Sequence, residues 1–328
     1  MYLSRLGYPM NLLKRHHCKN GLIIYLTIVL LPFHLAAQQE PMYSQYMFNM
    51  LNVNPAYAGS RGVPNLTTLF RNQWTGMPGA PKTGNVSFDM PFATNNSAIG
   101  LQLYTDRIGV QKTQGVKFNY AYRAQAGESG VLSMGLSMGL KNRRANYTDV
   151  NTFVPGDPVF NSNISSLNAD AGAGIFYTSD NFYVGASVPF LLKSNLNTND
   201  PLEAGAKWLE AVKAKDLNIF LTAGFVVYLN EQLVLKPSMM LKRSGSSIQA
   251  DLNSNLWIND IISFGVSYRT KESVIGMLEW QMTPKLRFGY SYDRSISNLR
   301  LYNTGSHEFM LRIEFGTKSE ETSIPNYF

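Results

Sequence analysis

Leu132-Ser133-Met134-Gly135-Leu136-Ser137-Met138-Gly139-Leu140 puts a large apolar side chain at every even position and a small one at every odd position. A period of two is the mark of a β-strand with one greasy face and one polar or small face. The greasy face is nine residues long, close to the ~9–11 that a tilted strand needs to cross a bilayer. A soluble sandwich uses such strands too, so the weight lies in repetition. The alternation recurs at 66–70, 86–90, 99–103, 116–122, 171–177, 182–188, 219–227, 233–241, 248–252, 262–268, 274–280, 286–292 and 309–315, fourteen strands in all. The expected fold is an all-β, transmembrane antiparallel β-barrel.

The connections support this independently. Every second gap is short: 93–97, 124–129, 179–181, 230–231, 259–260 and 283–284. Those between are on average longer: 74–83, 104–114, 141–168, 191–216 and 293–305, with 243–246 and 270–272 short. Outer-membrane barrels have an even strand count, short periplasmic turns and longer outside loops. Both termini and the six tight turns of the first set then fall in the periplasm. The segment 201–216 reads as a short helix decorating an outer loop. Pro237 lies inside an expected strand and forfeits a ladder bond, which implies a bulge or a local register error.

The second faces of these strands carry charge. A basic side chain facing mid-bilayer lipid costs about 2–4 kcal/mol, so the charges belong in the lumen. They are Asp89, Asp251, Glu279, Glu308 and Glu314 against Lys117, Arg123, Lys236, Arg287 and Arg312. Equal numbers of each sign suggest a cross-linked, filled lumen. Trp257, Trp280, Tyr268, Tyr290 and Tyr292 fall near strand ends, where an aromatic girdle belongs.

The chain divides into a leader (1–37), an N-terminal segment (38–63), the barrel (64–316) and a tail (317–328). The leader has a basic start with Arg5, Lys14, Arg15 and Lys19, a 13-residue apolar run over 21–33, and Ala36-Ala37 before Gln38. This is the pattern of a secretory signal peptide, with Met10 as a second possible start. Cys18 is the chain's one cysteine, so removing the leader leaves no thiol and no disulfide. It also removes four of the 29 basic residues and none of the 22 acidic ones. The basic balance thus belongs partly to the leader and gives no case for nucleic-acid binding.

Tyr43, Tyr46, Met47, Met50 and Leu51 recur at helical spacing before Asn52-Val53-Asn54-Pro55 breaks the run. The expectation is a short amphipathic helix and a turn. Its stripe either docks on or plugs the barrel, or meets a partner.

Catalytic constellations are scarce. His307 is the one histidine after the leader, so a histidine-dependent nucleophile would have to run through it. It stands at the start of the last strand, where an interfacial or loop role is expected. No Cys/His cluster or regular carboxylate loop suggests a metal, and Gly172-Ala173-Gly174 opens no helix and cradles no phosphate. No cofactor and no enzymatic activity are expected.

Tyr43-Ser44-Gln45-Tyr46-Met47-Phe48-Asn49 followed by Asn54-Pro55-Ala56-Tyr57-Ala58-Gly59-Ser60-Arg61-Gly62 resembles the opening of the PorP/SprF family. Arg71-Asn72-Gln73-Trp74, Gly79-Ala80-Pro81, Asp106-Arg107-Ile108-Gly109 and Asn119-Tyr120-Ala121-Tyr122-Arg123 continue the resemblance. It covers about the first third of the mature chain. Met50 departs from the proline common there, and the tail 318–328 extends past the last strand. The resemblance implies a non-catalytic outer-membrane protein of the type IX secretion system of Bacteroidota. Such a protein works among outer-membrane lipids with periplasmic secretion-ring subunits or a secreted surface adhesin, including adhesins of gliding motility. It also points to Tyr43, Gln45, Tyr46, Phe48, Asn54, Pro55, Tyr57 and Gly59 as partner-binding residues. Arg71, Asn72, Trp74, Gly79 and Pro81 form a family-motif loop. The alternative reading is a porin or hydrophobic-solute transporter.

Overall fold

The computed structural model describes residues 42–92, 96–149, 162–195 and 210–316. The expected leader and tail lie outside the described residues, as does most of the 201–216 segment. What remains of that segment is a two-residue strand, Glu210–Ala211, and a single 3-10 turn, Ala214–Asp216.

Fourteen strands form the wall: β1 (Asn65–Asn72), β2 (Lys82–Pro91), β3 (Ser97–Ile108), β4 (Gln111–Gln125), β5 (Val131–Ala145), β6 (Ile164–Thr178), β7 (Phe182–Asn195), β8 (Asn218–Phe225, resuming at Val227–Tyr228), β9 (Leu233–Ser244), β10 (Ser247–Ile258), β11 (Ile262–Arg269), β12 (Ser273–Thr283), β13 (Leu286–Ser295) and β14 (Ser306–Glu314). Each pairs antiparallel with the next, and β1 also pairs with β14 from Asn65–Glu314 to Asn72–His307, so the sheet closes. Closure leaves no sheet edge with unpaired backbone groups, the condition for spanning a bilayer with strands.

Alternation sets the two faces. On β5, Leu136 and Met138 are 63% and 66% exposed, whereas Ser133 and Ser137 on the alternate positions are buried. The outside is apolar and the lumen-facing positions are mainly polar or small, as an outer-membrane barrel requires. Replacing Leu136 by arginine is therefore expected to destabilise the barrel by about 2–4 kcal/mol, with Leu136→Met close to neutral. Urea unfolding in lipid vesicles measures both.

Strand lengths are uneven. The 8 residues of β1 climb about 20 Å at ordinary rise and tilt, while the 15 of β4, β5 and β6 climb about 40 Å. The gap expected at 104–114 shrinks to Gly109-Val110 between β3 and β4. Apolar alternation stops there at the membrane boundary, but the hydrogen-bond ladder continues past it. Periodicity reports the membrane and not the strand end.

Pro237 stands in β9 opposite Ser254. The β8 ladder pauses at Val226, yet Gly224–Ser238 and Val227–Leu235 keep one register. Neither the expected bulge nor a register error is found; the missing N–H only interrupts pairing. A shift does occur at Pro189, between the pairs Ala173–Val188 and Ala171–Leu192.

Trp280 and Tyr268 lie exposed on the outer face, and Tyr290 and Tyr292 pack around His307. Trp257 is a correction. It is 1% exposed inside the lumen, with the Arg287 guanidinium 4.8 Å from its ring. It sits on the odd positions of β10, whose outward residues are even.

Candidate functional site

Residues 42–63 run through the lumen. Ser44 and Gln45 lie near the loop end, where their backbone N–H groups donate to the Glu308 carboxylate at 2.8 Å each. Gly59 lies near the turn end, donating its N–H to Asp89 at 2.9 Å while its carbonyl accepts from Arg123 at 2.9 Å. Arg61 then pairs with Glu314 at 3.1 Å before the chain enters β1.

The expected helix over 43–51 does not form. Tyr46–Phe48, Met50–Asn52 and Pro55–Tyr57 are separate 3-10 turns. An amphipathic helix needs one wet and one dry face. Here Tyr46, Met47, Met50 and Leu51 are buried, and so are Gln45, Phe48 and Asn49 around them. With wall on all sides the helical period has no solvent to answer to.

Irregular backbone inside a barrel must find its hydrogen bonds in the wall, and it does. The carbonyl of Phe48 accepts from Arg312, that of Leu51 from Gln102 at 2.6 Å, and that of Val53 from Ser187 at 2.7 Å. Asn54 caps the third turn, accepting from the Ala56 N–H at 3.0 Å and donating to the Ile175 carbonyl at 2.8 Å. The Tyr46 hydroxyl accepts from Asn253 at 2.6 Å. The wall also makes room. A Cβ on Gly135 would strike the Ala56 backbone, one on Gly174 the Asn54 amide, and one on Gly289 the Gln45 side chain. The small face of β5 is thus the bed of the segment.

Charge is concentrated in two clusters. At the loop end, Arg71 pairs with Asp293 at 2.7 Å and Glu308 at 3.0 Å and donates to the Ser44 hydroxyl at 2.6 Å. Beside it Arg269 pairs with Asp251 at 2.9 Å and donates to the Tyr43 carbonyl at 3.4 Å. At the turn end, Arg287 pairs with Glu279 at 3.2 Å, near Arg312 and the Arg61–Glu314 pair. Lys117 lies 4.0 Å from Asp170 and 4.5 Å from the Phe190 ring.

The side chains of Tyr43, Gln45, Tyr46, Phe48, Asn54, Pro55 and Tyr57 thus face the wall and are buried, and Gly59 is buried beside them. Lys117, Arg123, Glu279, Arg287, Glu308, Arg312 and Glu314 face the lumen, the first and last half-buried. In the motif loop Arg71 reaches into the lumen, while Asn72 ends β1. Trp74 has φ +49° and donates its N–H to Ser306 at 3.1 Å. Gly79 accepts from the Gly109 N–H at 2.8 Å and Pro81 from Gln73 at 2.9 Å. The motif therefore ties the β1–β2 loop to the β3–β4 turn and to the start of β14. Sequence parity missed Arg71, Asp170, Arg269 and Asp293 as lumen charges. Each lies one residue past an expected strand end, and carrying the alternation one step further finds all of them.

Residues 35–313 match the family model for the type IX secretion system membrane protein PorP/SprF. The chain belongs to the PorP/SprF family. It is an outer-membrane barrel component of the type IX secretion system. No curated relative matches the sequence. Among solved structures, this PorP/SprF chain is similar to the outer membrane protein Omp33 of Acinetobacter baumannii, with 10% identity, TM-score 0.44, and 77% of this chain and 98% of that one covered. A Pseudomonas aeruginosa FadL homologue gives 13% identity, TM-score 0.42, and coverage of 84% and 94%. The translocator domain of the autotransporter NalP from Neisseria meningitidis gives 12%, 0.42, and 84% and 98%. The fold itself stands on the strand pairing above.

Proposed function

We propose that this PorP/SprF protein is a non-catalytic, plugged barrel that serves secretion by binding other components: periplasmic ring subunits, a secreted surface adhesin, or both. The observation that carries this is the threaded segment. Its buried core, from Tyr46 to Tyr57, fills lumen that a diffusion porin or solute transporter would need as a path. In this reading the Tyr43–Gly59 side chains hold the barrel shut and shape its turn end, and they would meet a partner directly only in a state where the segment leaves the lumen. Export of adhesins for gliding is one use of such a barrel.

The test is affinity purification of the tagged chain from native outer membranes, followed by mass spectrometry. Recovery of secretion-ring lipoproteins or a large adhesin is the expected result. Recovery of the barrel alone, together with solute flux after reconstitution in liposomes, would replace this reading with the porin or transporter.

A further inference from the structure

The outer face carries a row of cations that the lumen and its plug do not use. Lys82 of β2 is registered opposite Arg107 of β3, Arg107 opposite Lys112 of β4, and Lys112 opposite Arg144 of β5. Directly opposed residues share a face, so four basic side chains stand side by side across four strands. All four are exposed. Like charges placed directly opposite one another repel. Among the described residues no carboxylate comes within ion-pairing distance of any of them.

The next rows place these cations relative to the membrane. Two residues nearer the turn end runs a neutral row, Gly84–Thr105–Gln114–Asn142, in the same register. Two residues further runs an apolar row, Val86–Leu103–Val116–Leu140, exposed on the bilayer side. The cations therefore stand one neutral row above the apolar band at the loop end, which in this fold is the outer-leaflet headgroup level.

A second feature lies directly beneath. An apolar groove of about 570 Å³ opens in the bilayer-facing wall between Phe70, Phe309, Leu103 and Val86. Its floor is bare because Thr68 and Gly84 are small. Thr105 and Gln114, also in its lining, stand two residues below Arg107 and Lys112.

We infer that β1 to β5 form a binding site for an outer-leaflet lipid with a net anionic, phosphate-bearing headgroup. The Lys82–Arg107–Lys112–Arg144 row takes the phosphate and the groove at Gly84 takes an acyl chain. Anionic headgroups neutralise a row whose members otherwise repel, and the groove adds contact that a soluble anion cannot make.

The full chain, reconstituted in nanodiscs, is tested with phosphatidylglycerol and phosphatidylcholine of identical acyl chains, reading retained lipid by native mass spectrometry. The wild type is expected to retain phosphatidylglycerol preferentially. The K82Q/R107Q/K112Q/R144Q variant should lose that preference, by about fivefold for each cation that engages. Gly84→Leu, which fills the groove at a position where a Cβ meets only ordinary van der Waals contact, should lower retention of both lipids and leave their ratio unchanged. Heat-modifiable gel mobility reports folding of each variant. If the fourfold variant does not fold, R107Q/K112Q carries the same test with a loss of about 25-fold where both cations engage. An unchanged preference in the charge variant overturns the proposal. Equal occupancy by inorganic phosphate alone overturns the lipid as its source, and unchanged retention in Gly84→Leu overturns the groove.

Discussion

Replacing Arg71 by methionine is expected to destabilise the barrel by about 3–5 kcal/mol, the cost of removing one partner from a buried ionic group. The Arg71 side chain is 2% exposed, and those of Asp293 and Glu308 are 3% and 0%. Without the guanidinium two carboxylates from adjacent strands are left in the lumen with no cation between them. The N–H groups of Ser44 and Gln45 still reach Glu308, and these hydrogen bonds offset part of the loss. Arg71 also ties β1 to β13 and β14 across the closing seam, so the variant weakens the plug and the closure together. Urea unfolding in detergent or vesicles measures the change. The R71M/D293N/E308Q variant is expected to recover much of it, because neutral groups no longer require the cation. A methionine variant as stable as the wild type would mean that water, and not Arg71, solvates these carboxylates.

The barrel was legible because lipid enforces a period of two over every strand that crosses it. All fourteen strands, their order and the direction of Lys117, Arg123, Glu279, Arg287, Glu308 and Arg312 follow from that constraint. The strand ends were not legible. Beyond the bilayer, polar side chains at Thr105, Arg107, Lys112 and Gln114 satisfy a strand and a loop equally well. The lumen segment was legible only as something apolar at helical spacing. That spacing describes an interface with one face, whereas Tyr43 to Tyr57 are enclosed on every side. What selects its path is complementary: glycines at 135, 174 and 289 in the wall, and side chains such as Gln102, Ser187 and Arg312 aimed at its carbonyls. None of these matches can be read from the segment alone, because each pairs residues tens to hundreds of positions apart. Trp257 is placed by parity alone: it stands on the odd, lumen-facing positions of β10, and nearness to a strand end does not turn a side chain outward.

A chain beginning at Pro64, lacking the lumen segment, is expected not to refold into a closed barrel in detergent. The segment contributes Tyr46, Met47, Phe48, Met50, Leu51, Val53 and Tyr57 to a core shared with Phe176, Tyr183, Phe220, Met240, Trp257, Met277 and Met310 of the wall. Burial of a large apolar side chain is worth about 1.5–3 kcal/mol, so losing seven removes on the order of 10 kcal/mol or more. That is comparable with the whole stability of an ordinary folded domain. Polar losses weigh less, since water entering the emptied lumen hydrates Glu308, Asp89 and Arg123 where the backbone no longer does. Water cannot replace the apolar contacts, and it would surround wall residues such as Phe176 and Met240. Supplying residues 38–63 as a synthetic peptide should restore the compact, heat-modifiable form, because the wall already carries the glycine bed and the hydrogen-bond partners. Rescue should fail for a peptide with Asn54→Leu, which removes the cap on the third turn and places bulk against Gly174 and Gly185. A truncated barrel that folds with wild-type stability would show that the segment is not structural, and would free Tyr43 to Gly62 for a partner.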